Sequence, residues 1–314
     1  MLDGMKTSEQ FAMSQPGAVH CEAGSRLARG GTLAFLMGSL VLGSVGIFVH
    51  EAGTDPLTAT WFRCAFGLLG LTLWAALRRQ LSALQLRRRP SIAVLVTGLL
   101  MVAAWGLFFA AIEYISVGIA TVLFHVQPLW LLLLGACYLK ESIATRRVVA
   151  VLVAMLGLLL ATGVLEQLAP LGAEQGIQAS YWLGVAFCLC GALCTAWVTI
   201  VARQVRHMPA GTLVWWQCAV GTIVLGAWPV LNGWPEMGVA WAWLSGLGLL
   251  HTGLAYGLIY AGMARLDTDR IAVYQFIYPA VAILIDWLFY GQSLGGLQLS
   301  GIAIMAVAIW HAER

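Results

Sequence analysis

Apolar runs of spanning length, each closed by a short polar gap, repeat along nearly the whole chain. They fall at about 30–49, 57–77, 91–112, 117–138, 146–165, 181–202, 211–231, 240–264, 270–290 and 295–311. Each is near the ~20 residues an α-helix needs to cross a hydrocarbon core. The gaps hold Arg clusters or turn formers such as Gly53-Thr54-Asp55-Pro56 and Asn232-Gly233-Trp234-Pro235. The pattern predicts an all-α membrane protein with ten transmembrane helices. Residues 1–29 break it, being polar, Gly- and Ser-containing and of mixed charge. They are expected to form a disordered cytoplasmic tail, and His20-Cys21 within it follows no apolar run, which makes a poor lipid-anchor motif.

Composition sharpens this reading. Hydrophobic residues make up 61% of the 314 and charged residues 10%, against roughly a quarter charged in a soluble domain. The mean hydropathy is +0.86. A water-soluble fold of this length has too little interior for so much apolar surface, and a bilayer supplies the missing apolar solvent. A net charge of +3 is too small to suggest a nucleic-acid partner. Six of the seven cysteines lie inside apolar runs, where they act as small hydrophobes rather than as a disulfide framework.

The placement of charge predicts an orientation. With the N-terminus in the cytoplasm, the tail holds Lys6, Arg26 and Arg29. Successive inner loops hold Arg78, Arg79, Arg87, Arg88 and Arg89, then Lys140, Arg146 and Arg147, then Arg203 and Arg206, then Arg265 and Arg270, and Arg314 ends the chain. These are sixteen of the seventeen Lys and Arg residues. The outer loops hold none and carry Glu51, Asp55, Glu113, Glu166, Glu174 and Glu236 instead. Basic residues stay on the cytoplasmic side during insertion, so both termini are expected there, in a bacterial inner membrane.

The two halves of the chain match in order. Trp61-Phe62-Arg63-Cys64-Ala65-Phe66-Gly67 answers Trp215-Trp216-Gln217-Cys218-Ala219-Val220-Gly221 at an offset of 154. Ala104-Trp105-Gly106-Leu107 answers Ala255-Tyr256-Gly257-Leu258, Pro128 answers Pro279, and Glu141-Ser142 answers Gln292-Ser293, all at an offset of 151. Chance similarity between apolar helices is the competing explanation, and a near-constant offset across three helix pairs argues against it. The expected units are residues 30–165 and 181–311. Each has five helices, an odd number, so the second must run through the membrane upside down relative to the first. Inverted repeats of this kind are typical of secondary transporters, which open a central site to alternate sides.

With these features the chain resembles the ten-helix, EamA-type members of the drug/metabolite transporter superfamily over about residues 30–311. The resemblance rests on the duplicated five-helix unit, on Arg63 within the second span, and on Pro128 followed by the Leu139-Lys140-Glu141-Ser142 turn and Gly157. The same pattern surrounds Pro279, although Gln292 stands where the family often has Glu. It implies a central cavity lined by spans 1–4 and 6–9, with spans 5 and 10 peripheral. It also implies efflux of amino acids, other metabolites or toxic organic cations, with the bacterial exporters of aromatic amino acids as the expected subgroup.

Several residues could carry transport. Pro128 and Pro279 lie near mid-membrane, where each removes a backbone hydrogen bond and frees the carbonyl four residues earlier, on Phe124 and Gln275. They are read as symmetric hinges, the competing reading being two packing kinks. Arg63 and Asp286 are the charged side chains placed within spans, at similar depth below the outer surface. Arg63 could meet a substrate carboxylate and Asp286 an ammonium group or a proton, or the two could form a structural pair. His125 sits one turn from Pro128 and His251 at comparable depth, each open to a proton-coupling, cavity-lining or structural role. Trp105, Phe109, His125, Tyr256, Tyr260, Tyr274, Gln275 and Tyr278 are the candidate substrate-binding residues, an apolar pocket with a few polar groups that suits a zwitterion with a large side chain. Ala150, Ala154, Gly157 and Ala161 form a small-residue stripe for close helix packing.

Other functions fit less well. His50 and Asp55 match the H-x4-D spacing of lipid acyltransferases, without companion motifs. Cys190 and Cys194 share a helix face, with no carboxylate or His set to complete a metal site. Every loop is too short for a sensor domain, and no ATP-binding motif is present. A multidrug exporter of organic cations would want a deep acidic counter-ion, and Asp286 is shallow. A sugar-phosphate carrier would want several cavity Lys or Arg residues, and Arg63 stands alone. The expectation is therefore a non-enzymatic transporter of a small molecule such as an amino acid, without a cofactor or metal, and plausible as a monomer in the lipid bilayer.

Overall fold

The computed structural model describes residues 16–85, 91–164, 179–291 and 294–313. Arg87, Arg88, Arg89, Glu166, Glu174, Gln292, Ser293 and Arg314, named above for their charge or repeat position, lie outside these, as does the tail before residue 16. Among the described residues the regular structure is helical throughout, with no strand. The elements are α1 (Pro16–Gly43), α2 (Val45–Ala52), α3 (Pro56–Leu77), α4 (Ser91–Ile112), α5 (Val117–Phe124), α6 (Gln127–Tyr138) and α7 (Thr145–Ala161) in the first half. The second half has α8 (Ala179–Gln204), α9 (Ala210–Val224), α10 (Ala227–Asn232), α11 (Val239–Gly246), a π-helical segment (Leu247–Leu254), α12 (Ala255–Met263), α13 (Thr268–Tyr274), α14 (Ile277–Tyr290) and α15 (Gly296–Glu313).

Eight stretches of the described residues are long and apolar enough to cross a membrane: Arg29–Ala52, Pro56–Leu77, Ile92–Ile112, Gly118–Tyr138, Ser180–Gln204, Ala210–Asn232, Val239–Met263 and Thr268–Tyr290. The runs expected at 146–165 and 295–311 form the shorter helices α7, of 17 residues, and α15, of 18. At 1.5 Å per residue these reach about 25–27 Å, just short of a typical ~30 Å core. α7 stops early because Gly163 turns into the left-handed region, with φ 66°. The first helix also differs from expectation: it starts at Pro16, so residues 16–29 are helical rather than disordered. Proline suits a first helical turn, where its missing N–H is not needed.

Helix ends follow local chemistry. Asp55 caps α3, its carboxylate accepting from the N–H groups of Leu57 (3.1 Å) and Thr58 (3.0 Å), with Pro56 at the first position. Gly53 and Gly291 end α2 and α14 in the left-handed region. Large apolar side chains such as Ile223, Leu231, Met237 and Leu288 are more than two-thirds exposed. Such a surface is stable against lipid rather than water.

The halves interleave rather than forming two lobes. α1 packs on α12 and α14, and α4 and α6 pack on α8. α3 packs on the π segment and α9, α4 on α9, α6 on α13, and α7 on α15. Two close approaches depend on glycine. α7 and α15 cross at Gly157 and Gly301, where a Cβ on Gly157 would lie 2.7 Å from the Gly301 carbonyl oxygen. The small-residue stripe of α7 is thus covered by α15: Ala150, Ala154 and Ala161 are all buried. α3 and α9 cross reciprocally, Cys64 filling the space at Gly221 and Cys218 the space at Gly67.

Candidate substrate site

At this α3–α9 crossing lies a small void lined by Cys64, Met101, Trp105, Val214, Gln217, Cys218, Thr252 and Tyr256. It offers about 10 Å³ to water centres, enough for about one water molecule. Arg63 lies behind its wall, in contact with three of the lining residues. Its Nε donates to the Thr252 hydroxyl at 2.8 Å. Its guanidinium lies 5.0 Å from the Trp105 ring centre and 5.3 Å from that of Tyr256, within cation–π range of both. Trp105 and Tyr256 are the residues that matched in the two halves of the sequence. Arg63 Nη2 is buried with no hydrogen-bond partner, and no carboxylate pairs with Arg63 among the described residues. An uncompensated charge costs ~2.5–3.5 kcal/mol at the centre of a membrane helix and less towards the surface, where Arg63 is expected.

The backbone that presents Thr252 is unusual. Residues 247–254 form a π-helix, and the Thr252 hydroxyl donates to the Leu247 carbonyl five residues back (3.2 Å). π-bulges occur often at functional sites. Gly248 permits it: a Cβ there would clash with Phe66 and the Gly67 backbone. The neighbouring His251 is fully buried, bonded to the Ser44 hydroxyl at 2.9 Å and packed on the Phe48 ring.

Gln217 is the repeat counterpart of Arg63 and escaped the sequence reading. It is 7% exposed. Its Oε1 accepts from the Tyr260 hydroxyl at 3.0 Å, while its Nε2 is buried without a partner. The Tyr260 ring is tilted against that of Tyr256, centres 5.9 Å apart. It also borders a second, larger cavity of about 350 Å³ lined by Ala202, Arg206, Met208, Leu213 and Arg265 at the Arg-rich end. The opposite end is filled by aromatic rings: Phe62 packs on Trp61, Trp234 and Trp241 with centres 4.9–5.7 Å apart, and the Trp61 indole N–H donates to the Thr222 carbonyl.

The remaining candidates separate into groups. The Tyr278 ring centre is 5.3 Å from that of His125. His125 Nδ1 donates to the Thr121 carbonyl (2.7 Å), and its buried Nε2 has no partner. Gln275 Oε1 is likewise buried and unpartnered. His125 and Gln275 sit where two helices break: α5 gives way to α6 at His125-Val126, and α13 to α14 at Gln275-Phe276. Pro128 and Pro279 follow each break within the first turn of α6 and of α14, and both are buried. Phe109 packs beside Phe108. Tyr274 faces away from the void, against Phe35 and Thr32 of α1.

Asp286 does not pair with Arg63. Its Oδ1 lies 3.9 Å from where a Cβ on Gly46 of α2 would sit, whereas Arg63 meets Thr252, Trp105 and Tyr256. The acyltransferase pair does not assemble either. His50 bonds its neighbour Glu51 (3.2 Å), whereas Asp55 is occupied by the α3 cap and by the Trp228 indole N–H (2.8 Å). Among the described residues no cluster of three or more His, Cys, Asp or Glu side chains could hold a metal.

A second polar network ties the halves at the Arg-rich end. Glu141 bonds Arg203 at 2.9 Å and accepts from the Thr268 backbone N–H, and Arg147 pairs with Asp269. Glu141 belongs to the turn that the sequence singled out after Pro128. Its observed role is to cap α13 and neutralise a buried arginine.

Known proteins share this architecture. The chain is 24% identical to an uncharacterized transporter of Bacillus subtilis (YxxF), with 88% of this chain and 89% of that one covered. It is 26% identical to an uncharacterized transporter of Archaeoglobus fulgidus, covering 92% and 98%. It is 25% identical to the pseudopaline exporter CntI of Pseudomonas aeruginosa, covering 92% and 97%. A protein crystal structure at 18% identity superposes with a TM-score of 0.77 over 90% of this chain and 96% of that one, which speaks for the fold. The pattern of the EamA-like transporter family matches residues 29–163 and again 182–312. The chain therefore belongs to the EamA-like transporter family and is a membrane transporter rather than an enzyme.

Proposed function

We propose that the protein is a secondary transporter that exports small metabolites, foremost amino acids with aromatic or hydrophobic side chains, by alternating access through the cavity around Arg63. The observation that carries this reading is the unneutralised guanidinium held between Trp105 and Tyr256 beside the void. A positive group framed by aromatic faces suits a cargo with a carboxylate and a large apolar body. The same group disfavours organic cations. One relative is named as an exporter of pseudopaline, which accords with the outward direction.

The mechanism is that of two five-span units, 30–165 and 181–311, inserted in opposite senses with both termini on the cytoplasmic face of a bacterial inner membrane. The packing supports this: the α1–α12 contact has its repeat counterpart in α4–α8, α1–α14 in α6–α8, and α3–π segment in α4–α9. The reciprocal Cys/Gly crossing of α3 and α9 obeys the same two-fold relation. Spans 4 and 9 are broken at equivalent points, which supports Pro128 and Pro279 as paired hinges. In the form described, the acidic end is sealed by aromatic rings and the Arg-rich end carries the vestibule.

The test is efflux from cells or proteoliposomes loaded with an amino-acid mixture. Aromatic amino acids should leave faster with the protein than without it, and Trp105→Ala with Tyr256→Ala should abolish the difference. Equal efflux of every amino acid with and without the protein would remove this cargo class. Replacing Asp286 by Asn tests coupling: a transport rate that loses its pH dependence identifies Asp286 as the proton site, and an unaltered profile excludes it.

A further inference from the structure

We propose that Arg63 and Gln217 form a single carboxylate-binding site, and that the Tyr260–Gln217 hydrogen bond closes this site towards the Arg-rich face. The proposal rests on the transporter reading above and assigns the chemical group by which cargo is held. Both residues are donors whose outermost nitrogen is buried and unpartnered, Nη2 on Arg63 and Nε2 on Gln217. Gln217 lines the void directly, and Arg63 contacts three further lining residues, Trp105, Thr252 and Tyr256. They come from matching positions on α3 and α9, which cross at the void. A carboxylate has two oxygens able to accept from two such donors at once. An ammonium group would leave both donors unpaired and face the guanidinium charge.

Tyr260 explains how the site is closed. It borders the large vestibule, yet its hydroxyl donates to the Gln217 side chain that borders the void. One hydrogen-bonded layer thus separates a space of about 350 Å³ from one of about 10 Å³. Cargo arriving from the vestibule must displace Tyr260 from Gln217, and its carboxylate then takes over the amide. Arg206 and Arg265 in the vestibule wall attract the same charge.

Cys64 and Cys218 line the void and report on it without knowledge of the cargo. The full-length protein in liposomes is treated with 2-carboxyethyl or 2-aminoethyl methanethiosulfonate, which transfer their thioalkyl group to a thiolate with loss of methanesulfinate. Modification of each cysteine is timed by peptide mass spectrometry, with the exposed Cys137 as control. In the wild type the carboxylate reagent should modify Cys218 at least about tenfold faster than the ammonium reagent, as expected of a site that focuses positive potential. Arg63→Gln should bring that ratio to that of Cys137, and Gln217→Ala should lower it severalfold. Tyr260→Phe, which keeps the ring and removes the hydroxyl, should speed both reagents alike. A ratio unchanged by Arg63→Gln, a preference for the ammonium reagent, or no modification of Cys64 and Cys218 by either would overturn the proposal. Failed amino-acid efflux with the labelling ratios as expected would instead remove only the cargo assignment.

Discussion

Arg63 and Asp55 illustrate two ways in which a polar side chain is held at the edge of an apolar phase. Asp55 is satisfied locally. Burial is the largest single influence on it and alone would raise its pKa, but hydrogen bonds from Thr58, Trp228 and Leu57 together outweigh burial and hold the carboxyl below its ordinary value. A depressed folded-state pKa contributes stability that is present above the unfolded value and lost as pH falls through the folded one. Asp55→Ala should therefore cost about 0.5–2 kcal/mol at neutral pH, and the gap to wild type should narrow as pH falls below the unfolded value of about 4. Thermal unfolding in detergent at pH 7 and pH 3 checks both. Arg63 is left unsatisfied at Nη2, which is the group the proposed carboxylate site would use. Arg63→Gln should preserve folding, seen as an unchanged elution profile, while lowering transport about ten- to hundredfold, the range for losing a charge-assisted hydrogen bond. Much of this site was legible in sequence, because an arginine in an apolar run stands out and Trp105 and Tyr256 matched across the repeat. Gln217 did not stand out, since a neutral amide in a span is less conspicuous than a charge. The separation of Arg63 from Asp286 was hidden for another reason: position along a run gives depth, but helices apolar all round give no rotational angle.

At the level of elements, eight of the ten expected spans have helices long and apolar enough to cross a membrane, and the interruptions within them were only partly readable. The breaks at His125-Val126 and Gln275-Phe276 are announced by Pro128 and Pro279. Pro128→Ala should let α5 and α6 join into one helix, with slower transport and intact folding. Hydrogen exchange at residues 124–128 would report stronger protection in the variant. The π segment at 247–254 had no such signal. It is packed closely, Gly246 under the Phe48 ring and Gly248 against the Phe66–Gly67 backbone, and packing between residues 181 to 198 positions apart leaves no trace in local pattern. Gly157 was noticed as part of a small-residue stripe, but its partner on α15 was not. Gly301→Leu should drive α7 and α15 apart and destabilise the protein by about 1–3 kcal/mol or more, measurable as a lower midpoint in denaturant titration. A variant as stable as wild type would show that the crossing tolerates separation.

For the molecule as a whole, the physical claim is that two five-span units lie in opposite senses around a shared cavity. The order of apolar runs, the one-sided basic loops and the offset of 151–154 residues predict this from sequence alone, because insertion and duplication both write directly into sequence. The interleaved packing could not be read in advance, since nothing in a run of Leu, Ala and Gly names its neighbour. Sidedness tests the claim most directly. Reporter tags at each terminus and single labelled cysteines in the gap at residues 53–55 and in the loop at residues 207–209 would be assayed in sealed, oriented vesicles. Both termini and residues 207–209 should be reached from the cytoplasmic face, and residues 53–55 from the other. Termini on opposite faces would mean an odd number of crossings, and two oppositely inserted five-span units would then be excluded.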